Sequence, residues 1–379
     1  MRNLYLLGAT GSIGTQALNI IRKNQDYRVL GISFYNNISL GKEIIKEFKP
    51  ELVWVKNEEI KKDLEKEFPK VKIYFGKEGM IDFASYKKPG LVLNALTGSS
   101  GLLPTYYAIK SKKDILLANK ESLVIGGKLI IDLARKMKVS IFPLDSEHNS
   151  IYQLLRKENK EDVKKVYLTA SGGALRDRNR EELKSVTKAE VLNHPNWKMG
   201  DKITVDSATL INKGFEVIEA YHLFGLELNQ IDTVLHRESI VHALVEYKDS
   251  TVLANLSYPN MEIPISYALS YPKRRKTSVA SLDFGKLKSL NFEKIDYERY
   301  PLLKLSFEVL EKGEAKQIAY SASNEAAVNL FLAGKISFLE IEQIVIEAVK
   351  KDYPKFEISL DNILDLDLEI KKEIYEKYK

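Results

Sequence analysis

Hydrophobic runs of five to seven residues alternate with longer amphipathic stretches along the first part of the chain. The longer stretches predict helices, for example at Ser12–Lys23 and at residues 39–49. The hydrophobic runs predict strands at Asn3–Leu7, Arg28–Phe34, Glu51–Val55, Val71–Phe75, Leu91–Leu96, Asp114–Ala118 and Val139–Leu144. This alternation predicts an α/β fold with a doubly wound parallel sheet, in which ligands bind beyond the carboxyl ends of the strands.

The middle of the chain has a different pattern. Strand-like segments occur at Lys164–Gly173, Thr233–Tyr247 and Ser250–Tyr258, and the short connection between the last two is typical of a hairpin. Residues Lys202–Gly225 are predicted to form a helix entered from a short strand. This mixture predicts an α+β domain that begins near residue 145.

The end of the chain is predicted to be helical, after a Pro- and Lys/Arg-containing linker at Tyr271–Pro301. Glycine stops and a Ser337–Glu340 capping box delimit the helices. They are predicted at Leu302–Lys312, Ser323–Ala333, Ser337 to about Lys351, and about Ser359 to the end. We therefore expect domains at 1–144, 145–272 and 301–379, with a linker at 273–300.

Composition narrows the class of protein. The 379 residues are 44% hydrophobic and 29% charged, which is ordinary for a globular protein of two or three domains. The net charge of +6 suits anionic small substrates as well as nucleic acid, but no basic run with interleaved aromatic residues predicts a nucleic-acid groove. The absence of cysteine excludes disulfides, thiolate metal sites and cysteine nucleophiles. No signal peptide or membrane span is predicted, so we expect a cytoplasmic protein without membrane contact.

A glycine-rich turn, GATGSIG at Gly8–Gly14, lies between the first predicted strand and the first predicted helix. Glycines let the backbone approach a pyrophosphate, and a helix N-terminus supplies N–H donors, so dinucleotide binding is the favoured interpretation. The second strand ends at Tyr35-Asn36-Asn37. This segment has no acid to favour NAD and no basic residue for a 2′-phosphate, so NADP is favoured only by elimination and a plain loop is also possible.

Two acids, Asp145 and Glu147, follow the last predicted strand of the sheet, where a ligand is expected. Taken alone, they could equally form a solvated turn. Asn212, Lys213 and Glu216 share one side of a predicted helix whose other positions are mostly apolar. The polar stripe that these three residues form either faces a cavity or is the solvent-exposed face of an ordinary amphipathic helix.

Smaller signals are ambiguous by themselves. Lys120 could bind a substrate oxygen or belong to a surface turn, and Ser171 and Ser207 suit phosphate, turns or helix caps. In the loop at 194–200, Trp197 could act as a lid or pack onto the body. The remaining histidines have no metal-type spacing and are interpreted as structural: His148, His222, His236 and His242.

Together, these motifs closely resemble the 1-deoxy-D-xylulose 5-phosphate reductoisomerase family. The matching segments follow the family's order along essentially the whole chain: GATGSIG, GLLPTYYAI, LLANKESLV, PLDSEHNSIYQLL, SGGALRD, HPNWKMG, KITVDSATLINKGFEVIEA and SASNEAAV. The resemblance implies an N-terminal Rossmann-like NADPH-binding domain, an α+β catalytic domain with a mobile loop at 194–200, and a C-terminal four-helix bundle. It implies a homodimer that uses Mg²⁺ or Mn²⁺ and NADPH to convert 1-deoxy-D-xylulose 5-phosphate to 2-C-methyl-D-erythritol 4-phosphate, in the non-mevalonate isoprenoid pathway.

The resemblance also implies roles for individual residues. The implied metal ligands are Asp145, Glu147 and Glu216, all of them hard oxygen donors as Mg²⁺ and Mn²⁺ require. The implied phosphate ligands are Ser171, Ser207, Asn212 and Lys213. Further substrate contacts are Lys120, Ser146, Glu147, His194, Trp197 and Glu216, of which Lys120, Glu147, His194 and Glu216 are the implied catalytic residues. The implied cofactor contacts are Thr10, Gly11, Ser12, Ile13, Asn37, Asn119, Glu121 and Gly200.

The chain departs from the family after the second strand, where relatives usually carry Gly-Lys/Arg-Asn and only Asn37 matches. We therefore expect NADPH to be used, with weaker discrimination against NADH than in a Lys-bearing relative. Two alternative functions are another Rossmann-type NAD(P)-dependent dehydrogenase acting on a phosphorylated carbonyl, and a non-catalytic nucleotide-sensing or nucleic-acid-binding module. Neither alternative explains why three acids and a Ser/Asn/Lys cluster occur together.

Overall fold

The chain divides into two compact units. The computed structural model describes residues 1–24, 26–197 and 199–379. The first unit contains Met1–Ser122, Lys128–Asp145 and Met261–Ser278, and the second contains Leu123–Gly127, Ser146–Asn260 and Val279–Lys379. The domain boundaries expected at 144/145, 272 and 300 stay predictions.

A parallel sheet of seven strands forms the first unit, in the order β4-β3-β2-β1-β5-β6-β7. The strands are β1 Arg2–Leu7, β2 Tyr27–Ser33, β3 Leu52–Val55, β4 Lys72–Phe75, β5 Leu91–Asn94, β6 Asp114–Leu117 and β7 Ile141–Pro143. The order reverses between β1 and β5, which is where open α/β sheets bind ligands. The predicted Rossmann-like sheet is confirmed.

The helices of the first half of the chain connect these strands. They are α1 Ser12–Lys23, α2 Ile38–Phe48, α3 Glu58–Glu67, α4 Gly76–Ala84, α5 Leu102–Lys110 and α6 Glu121–Met137. The first helix has its predicted bounds, because the glycine turn limits its start and its buried Ala17, Leu18 and Ile21 keep one face in the core with Leu4, Leu6 and Ile32. α6 leaves helical geometry at Gly126.

The second unit contains a mixed sheet in the order β11-β10-β8-β9-β12. Its strands are β8 Val163–Ala170, β9 Ile231–Leu235, β10 Val241–Tyr247, β11 Val252–Leu256 and β12 Glu293–Lys294. β8 pairs parallel with β9 and antiparallel with β10, so the predicted α+β character is confirmed. Val166, Leu168, Val217, Phe224 and Val245 belong to its core.

The remaining helices are α7 Ser146–Leu155, α8 Lys188–Val191, α9 Asp201–Ala208, α10 Ile211–Phe224, α11 Glu262–Ser270, α12 Pro301–Lys312, α13 Glu314–Leu332, α14 Phe338–Lys350 and α15 Leu360–Lys377. α11 belongs to the first unit and the others to the second. The predicted helical C-terminus is confirmed in α12–α15. The Ser337–Glu340 capping box is present, with the Ser337 N–H donating to Glu340 Oε2 at 2.6 Å. Short 3₁₀ turns occur at Gly98–Gly101, Lys160–Asp162, Glu182–Ser185 and Leu228–Gln230.

Three element predictions are wrong. Lys202–Gly225 contains no strand among its described residues and forms two helices, because Leu210 adopts a left-handed conformation (φ 56°) that breaks the helix. Thr233–Tyr247 spans two strands, separated where His236 Nε2 accepts the N–H groups of Ile240 and Val241.

The third wrong prediction lies nearer the C-terminus. α13 begins nine residues before the predicted Ser323, directly after Gly313 at φ 94°. Residues 317–324 are all buried, so this part of the helix has no contrast between an apolar and a polar face from which its start could be predicted. Within the predicted linker, which stays a prediction, β12 pairs with β9.

Candidate active site

The glycine turn, defined as Gly8–Gly14, joins β1 to α1 in the first unit. Gly8 has a φ of 83°, and its N–H donates to Ser33 Oγ at 2.9 Å. A Cβ on Gly8 would lie 2.7 Å from the carbonyl oxygen of Ala95, directly after β5. Glycine is therefore required where the strand order reverses.

The N-terminus of α1 is open to a ligand. Gly11 is its N-cap, and no side chain in the described part of the chain caps it. The predicted cofactor contacts Thr10, Gly11, Ser12 and Ile13 lie here, and Gly11 and Ser12 are exposed. Uncapped N–H groups at the positive end of the helix dipole, beside a turn that excludes side chains, fit the pyrophosphate of a dinucleotide.

Asn119 and Glu121, two further predicted cofactor contacts, brace the loops after β5 and β6. Asn119 is buried, and its Nδ2 donates to the carbonyl oxygens of Leu96 and Gly98 at 2.9 Å each. Glu121 Oε1 accepts the Gly98 N–H at 3.2 Å. These bonds shape the ligand-binding edge of the sheet, while direct contact with a cofactor stays a prediction.

The other two predicted cofactor contacts are helix caps. Asn37 caps α2, with its Oδ1 accepting the Leu40 N–H at 3.2 Å. Gly200 is the N-cap of α9 in the second unit, and a Cβ added there would meet no atom within 4 Å. Both positions are exposed, as a ligand contact requires.

Lys120 and Asp145 form a buried ion pair at the carboxyl edge of the sheet. Their Nζ–Oδ2 distance is 2.7 Å, and the side chains are 7% and 14% exposed. Lys120 follows β6 and Asp145 follows β7, and parallel strands that pair at Leu117 and Pro143 end at the same edge. Burial of an ion pair costs desolvation, so its position where ligands bind favours a functional role over a stabilising one.

A second group of charges is buried in the second unit. We define the charged cluster as Glu147, Asn212, Lys213 and Glu216. Lys213 Nζ lies 2.6 Å from Glu147 Oε1 and also contacts Glu216, and Asn212 Nδ2 donates to Glu216 Oε1 at 2.6 Å. Lys213 and Glu216 are 4% and 1% exposed at their side chains, so the polar stripe of α10 faces the interior and not bulk solvent.

Two neighbours hold the charged cluster in place. Ser146 Oγ donates to Glu147 Oε2 at 2.5 Å at the start of α7. The imidazole of His148 is fully buried, with its Nε2 2.9 Å from the backbone oxygen of Glu216 and its Nδ1 3.5 Å from Glu219 Oε2. His148 therefore ties α7 to α10, and its interpretation as structural stays a prediction.

Ser171 and His194 meet beyond the end of β8. Ser171 Oγ lies 3.2 Å from His194 Nε2, while His194 Nδ1 accepts the N–H groups of Asn196 and Trp197 at 3.1 and 3.0 Å. Burial, and then the nearby charge of Arg176, lower the pKa of His194 to about 4. The imidazole is therefore neutral at pH 7, and its proton sits on Nε2, from which it can donate to an anion.

Ser207 lies against the same segment. A Cβ on Gly173, which has a φ of 72°, would lie 2.5 Å from the carbonyl oxygen of Ser207 in α9. Trp197 packs edge-on to His242 with ring centroids 6.5 Å apart. Lys198, within the predicted mobile loop, lies outside the described residues.

Several supporting residues were not singled out from the sequence. Arg176 Nη1 donates to the carbonyl oxygens of Ser171 and Arg237 at 3.2 Å each, and Asn196 Nδ2 donates to the Arg237 carbonyl at 2.6 Å. Asn324 Nδ2 of α13 donates to Asp206 Oδ1 of α9 at 2.8 Å. All three residues belong to motifs quoted above, but they act on backbone or side chains distant in sequence, which no local pattern could reveal.

No helix among the described residues combines the length and apolar character needed to cross a membrane.

The chain matches the sequence models of one family along most of its length. The model for 1-deoxy-D-xylulose 5-phosphate reductoisomerase matches residues 4–127, and that for the reductoisomerase C-terminal domain matches residues 141–224. A further model, DXP reductoisomerase C-terminal domain, matches residues 256–373.

Full-length relatives and solved structures show the same similarity. The 1-deoxy-D-xylulose 5-phosphate reductoisomerase of Geobacillus sp. (strain WCH70) is 46% identical over 98% of both chains, and that of Clostridium botulinum (strain Loch Maree / Type A3) is 45% identical over 100% of both. A crystal structure of DOX-P reductoisomerase with NADPH, fosmidomycin and magnesium superimposes with a TM-score of 0.93 and 37% identity, covering 100% of this chain and 98% of that one. The Zymomonas mobilis enzyme with NADPH has a TM-score of 0.91 and 36% identity, covering 100% and 99%.

Proposed function

Because this chain belongs to the 1-deoxy-D-xylulose 5-phosphate reductoisomerase family, we propose that it isomerises and reduces 1-deoxy-D-xylulose 5-phosphate to 2-C-methyl-D-erythritol 4-phosphate in non-mevalonate isoprenoid biosynthesis. The observation that carries this proposal is 46% identity across 98% of both chains with a relative of that name. The chain is an NADP-dependent oxidoreductase that uses NADPH and a divalent metal, Mg²⁺ or Mn²⁺, in agreement with solved relatives that hold NADPH and magnesium.

Asp145, Glu147 and Glu216 are the proposed metal ligands. Their carboxylates offer the oxygen donors that Mg²⁺ and Mn²⁺ prefer. Glu147 and Glu216 converge on the ammonium of Lys213, and this convergence of carboxylates on a positive charge supports their fit to a cation. Asp145 joins the set because it precedes Glu147 by two residues. When bound, the metal supplies Lewis-acid stabilisation of negative charge on substrate oxygens.

Ser171, Ser207, Asn212 and Lys213 are the proposed ligands of the substrate phosphate. Hydroxyl, amide and ammonium donors suit a phosphate, and the close approach of Gly173 to Ser207 brings two of their segments together. His194 contributes a neutral Nε2–H, because its Nδ1 already accepts two backbone N–H groups. It can therefore hold an oxygen of the substrate without adding or losing a charge.

Lys120 is the proposed proton carrier or oxyanion stabiliser. Its ammonium is held 2.7 Å from Asp145, and a positioned, largely buried cation stabilises developing negative charge more strongly than one in water. Ser146 is the proposed substrate contact between the two acids. Trp197, in the loop at 194–200, is the proposed lid that excludes water during hydride transfer.

NADPH is proposed to bind along the carboxyl edge of the first unit. The glycine turn takes the pyrophosphate through Thr10, Gly11, Ser12 and Ile13 at the open end of α1. Asn37, Asn119, Glu121 and Gly200 complete the proposed contacts. The nicotinamide ring supplies the hydride that reduces the rearranged aldehyde.

We also propose a homodimer located in the cytoplasm. β11 is an edge strand, and Val252 and Leu253 on it are 49% and 39% exposed. An unpaired strand edge with exposed apolar side chains suits pairing with a second copy. Light scattering should give twice the chain mass for the wild type and the chain mass for Val252→Lys; a monomeric wild type would rule the dimer out.

The decisive experiment follows NADPH oxidation with 1-deoxy-D-xylulose 5-phosphate, before and after EDTA treatment. We expect turnover that EDTA abolishes and that added Mg²⁺ or Mn²⁺ restores. Full activity after chelation would favour a metal-independent dehydrogenase acting on a phosphorylated carbonyl. No turnover with any metal, together with salt-sensitive binding to DNA or RNA, would favour a nucleic-acid-binding module.

A further inference from the structure

Lys56 lies beside the loop that follows β2, although it comes directly after a different strand, β3. β2 and β3 run parallel, and Ser33 pairs with Trp54. Tyr35 follows Ser33 by two residues and Lys56 follows Trp54 by two residues, so both leave the sheet at the same carboxyl edge. Lys56 Nζ lies 4.6 Å from the centroid of the Tyr35 ring.

The ammonium of Lys56 is available to a ligand. Lys56 is exposed, and so is Tyr35, whose ring lies beneath it and which is 51% exposed as a residue. Within the part of the chain that the structure describes, Lys56 has no ion pair with a carboxylate, and the nearby Glu58 at the start of α3 pairs with Lys62 at 3.0 Å. A cation–π contact at an exposed site is weak, so a phosphate can compete for the ammonium.

The remaining donors of this corner come from α2. Asn37 uses its Oδ1 to accept the Leu40 N–H, which leaves its amide hydrogens as donors. The N-terminus of α2 adds the positive end of a helix dipole. In a dinucleotide-binding sheet the adenine ribose lies beyond the end of the second strand, next to the glycine turn beyond the first, and β1 pairs with β2 up to Leu7 and Ser33.

We propose that Lys56 recognises the 2′-phosphate of NADPH, so that the end of β3 supplies the basic residue that the β2 loop lacks. The proposal rests on NADPH being the cofactor. Strong discrimination against NADH is then expected, in place of the weak discrimination predicted from residues 35–37 alone. Lys56 is a specificity residue that acts on the phosphate, and the reacting atoms do not require it.

The test measures the binding of two cofactor fragments by calorimetry. Adenosine 2′,5′-bisphosphate carries the 2′-phosphate, and 5′-AMP is the matched fragment without it. The variants are Lys56→Ala and Lys56→Arg. Lys72→Ala is the control, since Lys72 is also exposed and also lies over a tyrosine ring, 4.8 Å from Tyr74, but at the start of β4 and so at the opposite edge of the sheet.

We expect Lys56→Ala to weaken binding of the bisphosphate about tenfold, as loss of one charge-assisted contact does, and to change 5′-AMP binding less than about twofold. Lys56→Arg and Lys72→Ala should both keep the wild-type preference. Raising the salt concentration should reduce the preference for the bisphosphate over 5′-AMP more in the wild type than in Lys56→Ala.

Two contrary results are distinguishable. A wild-type preference for the bisphosphate that Lys56→Ala retains would overturn the role of Lys56 and leave NADPH as the cofactor. Equal binding of both fragments to the wild type, with NADH oxidised as readily as NADPH, would overturn the NADP-dependent function and the role of Lys56 together.

Discussion

The glycine turn of the first unit and the charged cluster of the second depend on different properties of their residues. The turn works by the absence of side chains, since a Cβ at Gly8 would meet the Ala95 carbonyl. The cluster works by the presence of particular charges, since Glu147, Lys213 and Glu216 are held together out of solvent. Steric changes should therefore damage the first, and isosteric changes of charge should damage the second.

The largest expected effect is that of Glu216→Gln. The change keeps size and shape but removes a carboxylate proposed to ligate the metal, so we expect kcat to fall at least ~10³-fold. NADPH binding, measured by fluorescence titration, should change less than about twofold because Glu216 is not among the proposed cofactor contacts. Glu246→Gln, which removes a carboxylate paired with the exposed Lys164 and outside the charged cluster, should keep normal turnover. Near-normal turnover of Glu216→Gln without metal would refute the metal assignment.

Gly8→Ala tests the steric side of the comparison. The added Cβ would lie 2.7 Å from a carbonyl oxygen and the φ of 83° disfavours alanine, so we expect a loss of about 1–3 kcal/mol in stability together with weaker NADPH binding. Gly334→Ala is the matched control: its φ is 73°, but no atom lies within 4 Å of the added Cβ. Urea unfolding and NADPH titration should separate the two variants; equal losses in both would mean that backbone strain alone matters.

Acidification should weaken the second unit through His194. Its pKa is lowered to about 4 in the folded protein, against about 6.5 when unfolded, so between these values the unfolded chain binds more protons and stability falls as the pH falls. Because the ring is partly exposed, we expect a loss of about 1–2 kcal/mol between pH 7 and pH 4.5. His194→Gln lacks this loss. Urea unfolding of the wild type and of His194→Gln at both pH values tests this prediction. An equal pH dependence of the free energy of unfolding in the two proteins would contradict it.

The smallest expected effect is that of Ser12→Ala. If the glycine turn binds the pyrophosphate through backbone N–H groups, loss of this hydroxyl should weaken NADPH binding less than about fivefold. Titration of the variant and of the wild type with NADPH measures this difference in affinity. A loss as large as that of Gly8→Ala would mean that the turn depends on side chains after all, and would remove the contrast with the charged cluster.

Much of the first unit could be predicted because its information is local. A glycine turn next to a strand marks the start of α1, and Ser12–Lys23 has the predicted bounds. The Ser337–Glu340 capping box likewise involves residues three apart. The break at Leu210 could not be predicted because a left-handed leucine has no sequence signal. The start of α13 could not be predicted because residues 317–324 are buried on all sides of the helix and show no amphipathic pattern.

The amino-acid sequence was sufficient to select the residues that we propose carry the chemistry: the glycine turn, the acids Asp145, Glu147 and Glu216, and the Ser/Asn/Lys donors. Three further features are visible only in the folded protein: the polar stripe of α10 is buried, Lys213 joins Glu147 to Glu216, and the Lys56 ammonium lies over the Tyr35 ring. These features could not be predicted because the residues involved are far apart in the sequence. Periodicity and spacing report neighbours within a few positions, whereas Glu147 and Lys213 are brought together by the packing of α7 and α10, and Lys56 reaches the β2 loop through strand pairing.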